Sequence, residues 1–169
     1  MTAADRQFRI RHVLQPGDLG MVVHLHGVHY WREYGLDNTF EPYVAKPLAD
    51  FVLGGAGRLW IAEEGDRTVG SIALVDAEPD VGQLRWFLVI PEARGTGLGK
   101  RLLDEALAYA RERGFRRLFL WTFAGLEDAL RLYERAGFTI TDKKTDFVWG
   151  AERTELRMDL ELQPTSGAD

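Results

Sequence analysis

The sequence of 169 residues contains no cysteine, which excludes a disulfide framework, a cysteine-based zinc site and a cysteine nucleophile. Long hydrophobic runs are missing too: the longest, such as Trp86 to Ile90, have five residues, whereas a membrane span needs about 20. Basic residues are in the minority, with 21 Lys and Arg against 26 Asp and Glu and a net charge of -5. We therefore expect no nucleic-acid partner, because such a partner needs a basic face. The first 13 residues include arginines but no apolar segment, so we expect no signal peptide.

The composition that remains is typical of one globular domain. Hydrophobic residues make up 46% of the chain, and a chain of this length buries about 70% of its unfolded surface. We expect a single domain over residues 8–162, a disordered tail over residues 163–169, which include Pro, Thr, Ser and Gly, and a cytoplasmic location.

Hydrophobic periodicity predicts alternating strands and helices along the chain. The predicted order is a strand at 8–13, helices at 19–34 and 40–53, strands at 59–63, 69–75 and 81–90, a helix at 98–113, a strand at 117–123, a helix at 126–136, and strands that begin at 138 and 154. Pro47 is expected to break or kink the second helix. The order predicts an α/β or α+β layer built on a mixed sheet.

The segment from Val89 to Arg101 joins a predicted strand to the clearest predicted helix and is rich in glycine. Glycine stands at every second position of its centre, at Gly95, Gly97 and Gly99. Glycine lets the backbone turn tightly and approach a ligand closely, and the free amides of a helix start bind phosphate or pyrophosphate. Positive charge is added nearby by three side chains, Arg94, Lys100 and Arg101. The segment therefore predicts a phosphate-binding turn, although an ordinary strand–helix turn is the alternative.

Two familiar phosphate motifs do not fit this segment. In the P-loop pattern the first glycine would fall on Arg94 and the hydroxyl residue on Arg101. In the dinucleotide pattern the third glycine would fall on Lys100.

Arg94-x-x-Gly97-x-Gly99, after Pro91-Glu92, resembles motif A of the GNAT superfamily of N-acetyltransferases. The segment Ala129-x-x-x-Tyr133-Glu134-x-Ala136-Gly137-Phe138 resembles the second signature of that superfamily, and the order of elements from Phe8 to Leu162 is similar too. The resemblance implies a three-layer fold with a mixed, mostly antiparallel central sheet and about four helices. More closely, residues 16–41 resemble acetyltransferase domains that follow a winged-helix domain in some bacterial regulators. We expect no such companion here, because the first predicted strand begins near Phe8.

The resemblance implies where acetyl-CoA binds. Its pantetheine would lie against the backbone of Phe87, Leu88 and Val89, with the Val89 N–H polarising the thioester carbonyl. Its phosphates would contact the turn residues Arg94, Gly95, Thr96, Gly97, Leu98, Gly99 and Lys100. Tyr133 would be the general acid that protonates the departing thiolate, unless it is only a core aromatic.

Two positions depart from the family pattern. Leu126 stands where many relatives have an asparagine that bonds to pantetheine, so one amide contact is lost or supplied from elsewhere. The general base is unassigned, because the strand at 81–90 has no carboxylate. Glu63 and Glu64 could serve, but they lie at a predicted hairpin end, where solvation explains them. Deprotonation through water is the other route.

The family's acceptor pocket is walled by the first two helices, and His26 and Tyr30 share a helical face there with Glu33. His26 and Tyr30 are therefore candidate acceptor-binding residues, with ordinary packing as the alternative. A metal site that combines His26 with His24 is disfavoured, because the two lie about 200° apart around the helix, and no metal is expected.

Arg85 is a third candidate acceptor-binding residue, because it lies in the middle of an apolar strand. Either it faces solvent, or it pairs with an acceptor carboxylate or an internal acid, since an unpaired buried charge is costly. The aromatic residues Phe123, Phe147 and Trp149 are candidate apolar walls near the pocket mouth, with ordinary core packing as the alternative.

These observations predict an acetyl-CoA-dependent N-acetyltransferase that moves the acetyl group directly to a primary amine of a small-molecule or amino-acid-like acceptor. Direct transfer agrees with the absence of cysteine. The alternative is a catalytically weak acyl-CoA-binding sensor or interaction module. No membrane partner is expected, and a homodimer is an expectation drawn from similar enzymes.

Overall fold

The computed structural model describes residues 6–163. The elements follow the predicted order: β1 (Arg9–Arg11), α1 (Asp18–Tyr34), α2 (Phe40–Gly54), β2 (Gly57–Glu64), β3 (Arg67–Glu78), β4 (Val81–Val89), α3 (Leu98–Glu112), β5 (Arg117–Phe123), α4 (Glu127–Arg135), β6 (Thr139–Val148) and β7 (Ala151–Glu161). A short 3₁₀ turn, Pro91–Ala93, links β4 to the turn before α3. Residues 164–169 of the predicted disordered tail lie outside the described residues.

The strands of residues 6–163 form one seven-stranded sheet in the order β1-β2-β3-β4-β5-β7-β6. Neighbouring strands are antiparallel, apart from the parallel pair β4 and β5. A parallel pair needs a crossover connection, and α3 provides it. The predicted mixed, mostly antiparallel sheet is confirmed.

Helices cover both faces of the sheet and give three layers. Because side chains alternate along a strand, Leu59 and Ile61 of β2 pack with buried residues of α1 and α2. Trp60 and Ala62 point to the other face, where they share a core with residues of α3 and α4. The strong apolar stripe of α3, which the sequence showed most clearly, is the centre of this second core.

The sheet opens between its two parallel strands. β4 and β5 pair at three positions, Val81 with Arg117, Gly82 with Leu118 and Gln83 with Phe119. Both strands then continue, β4 to Val89 and β5 to Phe123, without further pairing to each other among the described residues. The result is a wedge-shaped gap in the middle of the sheet, which we call the wedge.

Helix α2 runs unbroken through Pro47, so of the two expectations the break is wrong, and the kink stays a prediction. Proline removes one helical hydrogen bond, but the apolar face of α2 is buried both before and after it, at Val44 and Leu48. Burial of this face offsets the lost bond. Within residues 6–163, no helix combines the length and the hydrophobicity that a membrane crossing requires.

Candidate functional site

A cavity of about 120 Å³ lies at the wedge, walled by α1, α2, β4, β5, α4 and the β6–β7 hairpin. The predicted catalytic residue Tyr133 lines it, and so do the predicted acceptor-binding residues His26, Tyr30 and Arg85. These residues come from three separate elements, so the fold brings together side chains that the sequence places more than 100 positions apart.

The glycine-rich turn leads from β4 into the start of α3. Gly95 and Gly97 have φ angles of 72° and 82°, in the left-handed region that favours glycine. A Cβ at either position would meet no heavy atom of the described residues within 4 Å, so the turn is open on that side. Gly99 differs, because its Cβ position makes ordinary contacts with Leu132 and Phe87. Conformation therefore requires glycine at two of the three predicted positions.

The start of α3 leaves backbone donors available. Gly97 is its N-cap and provides no side-chain cap bond, and the first turn has no acidic residue. Helix starts of this kind offer several amides and the positive end of the helix dipole to an anion. The Arg94 amide, one of the expected phosphate donors, already donates to the Pro91 carbonyl (3.2 Å).

The predicted phosphate-binding cations already have partners within the protein. Arg94 donates two hydrogen bonds to the Glu33 carboxylate, from Nη1 to Oε1 and from Nη2 to Oε2 (2.8 Å). Its Nε also donates to the Val89 carbonyl (3.0 Å). Lys100 pairs with Asp104 at 2.6 Å, and Arg101 donates to the Phe8 carbonyl at 3.3 Å. The backbone of the turn, more than these side chains, is therefore what the structure offers to an anion.

A bulge in β4 borders the wedge. Between the pairs Ser71–Leu88 and Ala73–Arg85 there is one extra residue in β4. Trp86 takes a φ of 46°, unusual for a residue other than glycine, and its carbonyl accepts a 2.7 Å hydrogen bond from the Ser71 hydroxyl. A buried polar contact thus holds the strained backbone in place.

The Val89 backbone faces the wedge. Ile90 donates from its amide to the Val69 carbonyl (2.9 Å), so Ile90 and Val69 are a hydrogen-bonded pair. In an antiparallel ladder such pairs alternate with non-bonded ones. Val89, paired with Gly70, therefore directs its N–H and carbonyl away from β3.

Tyr133 is buried in the core and also reaches the cavity. Its ring packs near Phe87 and Phe138, with centroid distances of 5.8 and 5.9 Å. Among residues 6–163 its hydroxyl forms no side-chain hydrogen bond, although buried tyrosine hydroxyls usually have a partner. Burial raises the pKa of Tyr133 well above its ordinary value. The side chain is thus both a core aromatic and an available proton donor, and the two interpretations made from the sequence are compatible.

His26 and Tyr30 are stacked in the cavity wall, with centroids 5.8 Å apart and ring planes at 12°. His26 Nδ1 lies 2.8 Å from the Val22 carbonyl, and burial lowers the pKa of His26 to about 4. A neutral imidazole that donates from Nδ1 leaves Nε2 as an acceptor. Burial also raises the pKa of Tyr30, which packs against Phe40 and Phe123.

The sequence reasoning missed several residues of the cavity. Tyr43 of α2, Gln83 and Trp86 of β4 and Glu155 of β7 line it, and only the fold brings them together. Two of the expected aromatic walls, Phe123 and Trp149, line the cavity. The third, Phe147, is 76% exposed and is not one of its lining residues, so that expectation was wrong.

The two carboxylates weighed as general bases are held elsewhere. Glu63 pairs with Arg11 at 2.7 Å, and Glu64 pairs with Arg6 at 2.5 Å. Both form ion pairs at the β1 edge of the sheet, so solvation does not explain them.

Leu126, at the position of the family's asparagine, lines the cavity with an apolar side chain. Among residues 6–163, no group of three His, Cys, Asp or Glu side chains is arranged to hold a metal.

Residues 27–138 match the model of the acetyltransferase (GNAT) family. An uncharacterized N-acetyltransferase of Escherichia coli, YjgM, is 38% identical over 117 residues, which cover 65% of this chain and 70% of that protein. A probable N-acetyltransferase family 8 member 5 of mouse is 33% identical over 119 residues, covering 63% of this chain and 52% of that protein. The chain thus spans about half the length of the mouse relative.

Solved structures share the fold over nearly the whole chain. An acetyltransferase from Streptococcus agalactiae superposes with a TM-score of 0.76 at 25% identity, covering 92% of this chain and 98% of that one. YncA from Salmonella typhimurium, solved with its cofactor acetyl-CoA, gives a TM-score of 0.73 at 20% identity, covering 96% and 98% of the two chains. The family model matches more than half of the residues and the three-layer fold agrees, so the chain belongs to the acetyltransferase (GNAT) family.

Proposed function

We propose that this protein is an acetyl-CoA-dependent N-acetyltransferase that transfers the acetyl group directly to a primary amine of a small molecule. The observation that carries the proposal is the wedge between β4 and β5, with an open glycine turn at one end and Tyr133 beside it. Membership of the family and the acetyl-CoA in the YncA structure support the choice of cosubstrate. We also propose that the chain is related to the acetyltransferase domains that follow a winged-helix domain in some bacterial regulators. A cytoplasmic location is part of the proposal too.

The residues of the wedge fit acetyl-CoA. The amides at the start of α3, which follow Gly95 and Gly97, would hold its phosphates, and the backbone of Phe87 to Val89 would lie along its pantetheine. Acetyl-CoA supplies the thioester that reacts. The Val89 N–H, directed away from β3, would donate to the thioester carbonyl and stabilise the negative charge that develops there.

Tyr133 would be the general acid that protonates the leaving group. The amine nitrogen bonds to the carbonyl carbon, the carbon–sulfur bond breaks, and the Tyr133 hydroxyl donates its proton to the sulfur. A tyrosine is protonated at neutral pH, which is the state that a donor needs, and burial raises the pKa of Tyr133 further. The proton that the amine loses goes to water, water returns a proton to the Tyr133 phenolate, and the products are an amide and the thiol of CoA.

The experiment is to measure release of free thiol from acetyl-CoA with pooled amines, amino acids, aminoglycosides and peptide N-termini as acceptors. The chain has no cysteine, so a thiol reagent reports liberated CoA alone. We expect release that depends on one acceptor pool. Acetyl-CoA binding without release from any pool would instead favour an acyl-CoA-binding sensor, the alternative that Leu126 in place of the family's asparagine supports.

A further inference from the structure

Arg85 is a cation in the cavity wall that has no acidic partner in the part of the chain that the structure describes. It lies on β4 opposite Ala73, one residue before the bulge, and lines the cavity. Its guanidinium carbon is 4.8 Å from the centroid of the Trp86 ring. Within residues 6–163, it forms neither an ion pair nor a side-chain hydrogen bond. Arg85 is partly buried, and removing a charge from water is unfavourable unless something else pairs with it.

Other arginines show how the fold deals with the same problem. Arg11 is buried and bonds to the carboxylates of Asp18 and Glu63. Arg94 is bonded through two nitrogens to Glu33. Arg58, which is partly buried, lies 4.2 Å from the centroid of the Tyr109 ring and outside the cavity. Arg85 is distinguished from these by its place in the cavity, where a ligand can reach it.

The cavity also contains an acid that is only loosely paired. The side chain of Glu155 is 14% exposed and lies 3.9 Å from the Lys144 ammonium, whereas Lys144 has a closer partner in Asp146 at 2.9 Å. Burial raises the pKa of Tyr43, and Arg85 and Glu155 act on that pKa with opposite signs. Lys144 lowers that pKa too, and Arg85, Glu155 and Tyr43 all line the same cavity.

Aromatic rings form the wall beside these two charges. Phe40 packs against Tyr43 and Trp149 with centroid distances of 5.9 and 5.1 Å, and all three residues line the cavity. An apolar or aromatic group fits against such a wall, with its polar ends directed to the charges.

We propose, on the basis of the acetyltransferase function above, that the acceptor is an amino acid or a similar zwitterion with an apolar body, whose carboxylate binds Arg85. A guanidinium matches a carboxylate through two parallel hydrogen bonds. Glu155 in the same cavity disfavours a dianion such as a phosphate ester and favours the positive amine. The aromatic wall at Tyr43 and Trp149 contacts the apolar body.

The test compares apolar and aromatic L-amino acids, each with its own carboxamide, as acceptors in the thiol-release assay. The amide keeps the amine and the side chain but loses the negative charge. We expect kcat/KM to be about tenfold or more higher for the acid than for the amide, equivalent to about 1.4 kcal/mol. Arg85→Gln should bring this ratio close to one by lowering the value for the acid alone, and Arg85→Lys should restore part of it. Arg58→Gln is the matched control and should leave the ratio unchanged.

The same pairs are titrated against the protein, with and without CoA, by tryptophan fluorescence, since Trp86 and Trp149 line the cavity. This readout does not need turnover. Equal binding of acid and amide to the wild type, or a preference for the acid that survives in Arg85→Gln, would overturn the inference. If the wild-type protein does not bind acetyl-CoA, the proposed function is refuted. The preference for the acid over the amide can still be measured in the protein without CoA.

Discussion

Arg94 belongs to the glycine-rich segment and was expected to bind phosphate, but its side chain is paired within the protein. Its guanidinium binds Glu33 of α1 and the carbonyl of Val89, so it ties the glycine-rich turn to the helix that walls the cavity. Bidentate pairs of this kind fix geometry as well as charge. We infer that Arg94 orders the turn and the end of β4, and that the backbone amides of the turn remain the donors for a phosphate.

At Tyr133 we predict that replacement by phenylalanine lowers kcat by about 100-fold, at the lower end of what a general acid contributes. The variant keeps the ring that packs on Phe87 and Phe138, so the affinity for acetyl-CoA should change little. Steady-state thiol release gives kcat, and calorimetry gives the affinity. Tyr109→Phe removes the hydroxyl of another buried tyrosine, which accepts a bond from Arg113 outside the cavity, and should keep kcat. Unchanged turnover in Tyr133→Phe would remove Tyr133 from the acid role.

His26 makes the stability of the fold depend on pH. Burial lowers its pKa from 6.5 to about 4 in the folded protein, so the unfolded chain binds a proton more readily. The stabilisation by the neutral ring is complete above pH 6.5 and is lost as the pH falls towards 4. We predict that His26 contributes about 3 kcal/mol to the decrease in the free energy of unfolding across this range.

Urea denaturation at a series of pH values tests this contribution. His26→Leu should be less dependent on pH than the wild type between pH 6.5 and 4. His24→Gln changes an exposed histidine two positions earlier on the same helix and is the control. A pH profile that is identical in wild type and His26→Leu would contradict the prediction.

Among the elements, the glycine-rich turn offers a closely matched comparison. Gly97 and Gly17 are both N-caps in the left-handed region, with φ of 82° and 98°. Among residues 6–163, no heavy atom lies within 4 Å of either Cβ position. Alanine at either position should cost about 1 kcal/mol of stability for the same backbone reason. Gly97→Ala alone should weaken acetyl-CoA binding, by about tenfold or more, because its methyl group enters the open side of the turn. Calorimetry on both variants decides: equal affinities would show that the turn does not hold the phosphates.

The elements themselves were predictable because their signals are local. The apolar stripe of α3 and the alternation in β7 each lie in one continuous stretch of sequence, and glycine marks the ends of α1 and α3. The turn was predictable for the same reason. The ends of β3 were missed, because they are set by pairing to β2 and β4 and not by its own sequence.

The acceptor side of the cavity was harder to predict. Tyr43 and Glu155 are separated by more than 100 residues and meet only because α2 and β7 flank the same gap. No local pattern marks the left-handed Trp86 either, since the bulge arises from a mismatch in register between two strands. The partner of Arg94 was likewise not visible in the sequence, as Glu33 lies 61 positions away.

For the whole molecule, ligand binding should raise the melting temperature, Tm. A ligand that binds only the folded state adds about 2.7 kcal/mol at 100 times its Kd, which corresponds to a rise in Tm of about 5–10 °C for a chain of this size. We predict such a rise with acetyl-CoA and none with ATP, since the turn does not have the P-loop spacing. Differential scanning calorimetry with each ligand measures both. A larger rise with ATP would point to a nucleotide-binding protein instead.

The gap between β4 and β5 also has a consequence for the dynamics of the backbone. Sheets normally keep unpaired strand edges at their margins, where they are short or protected. Here a free edge lies in the centre of the sheet, and the Val89 amide is part of it. Deuterium exchange should therefore be fast at Val89 and slow at its neighbour Ile90, whose amide is bonded to Val69. A bound ligand that takes the place of the missing strand would bring the two exchange rates together.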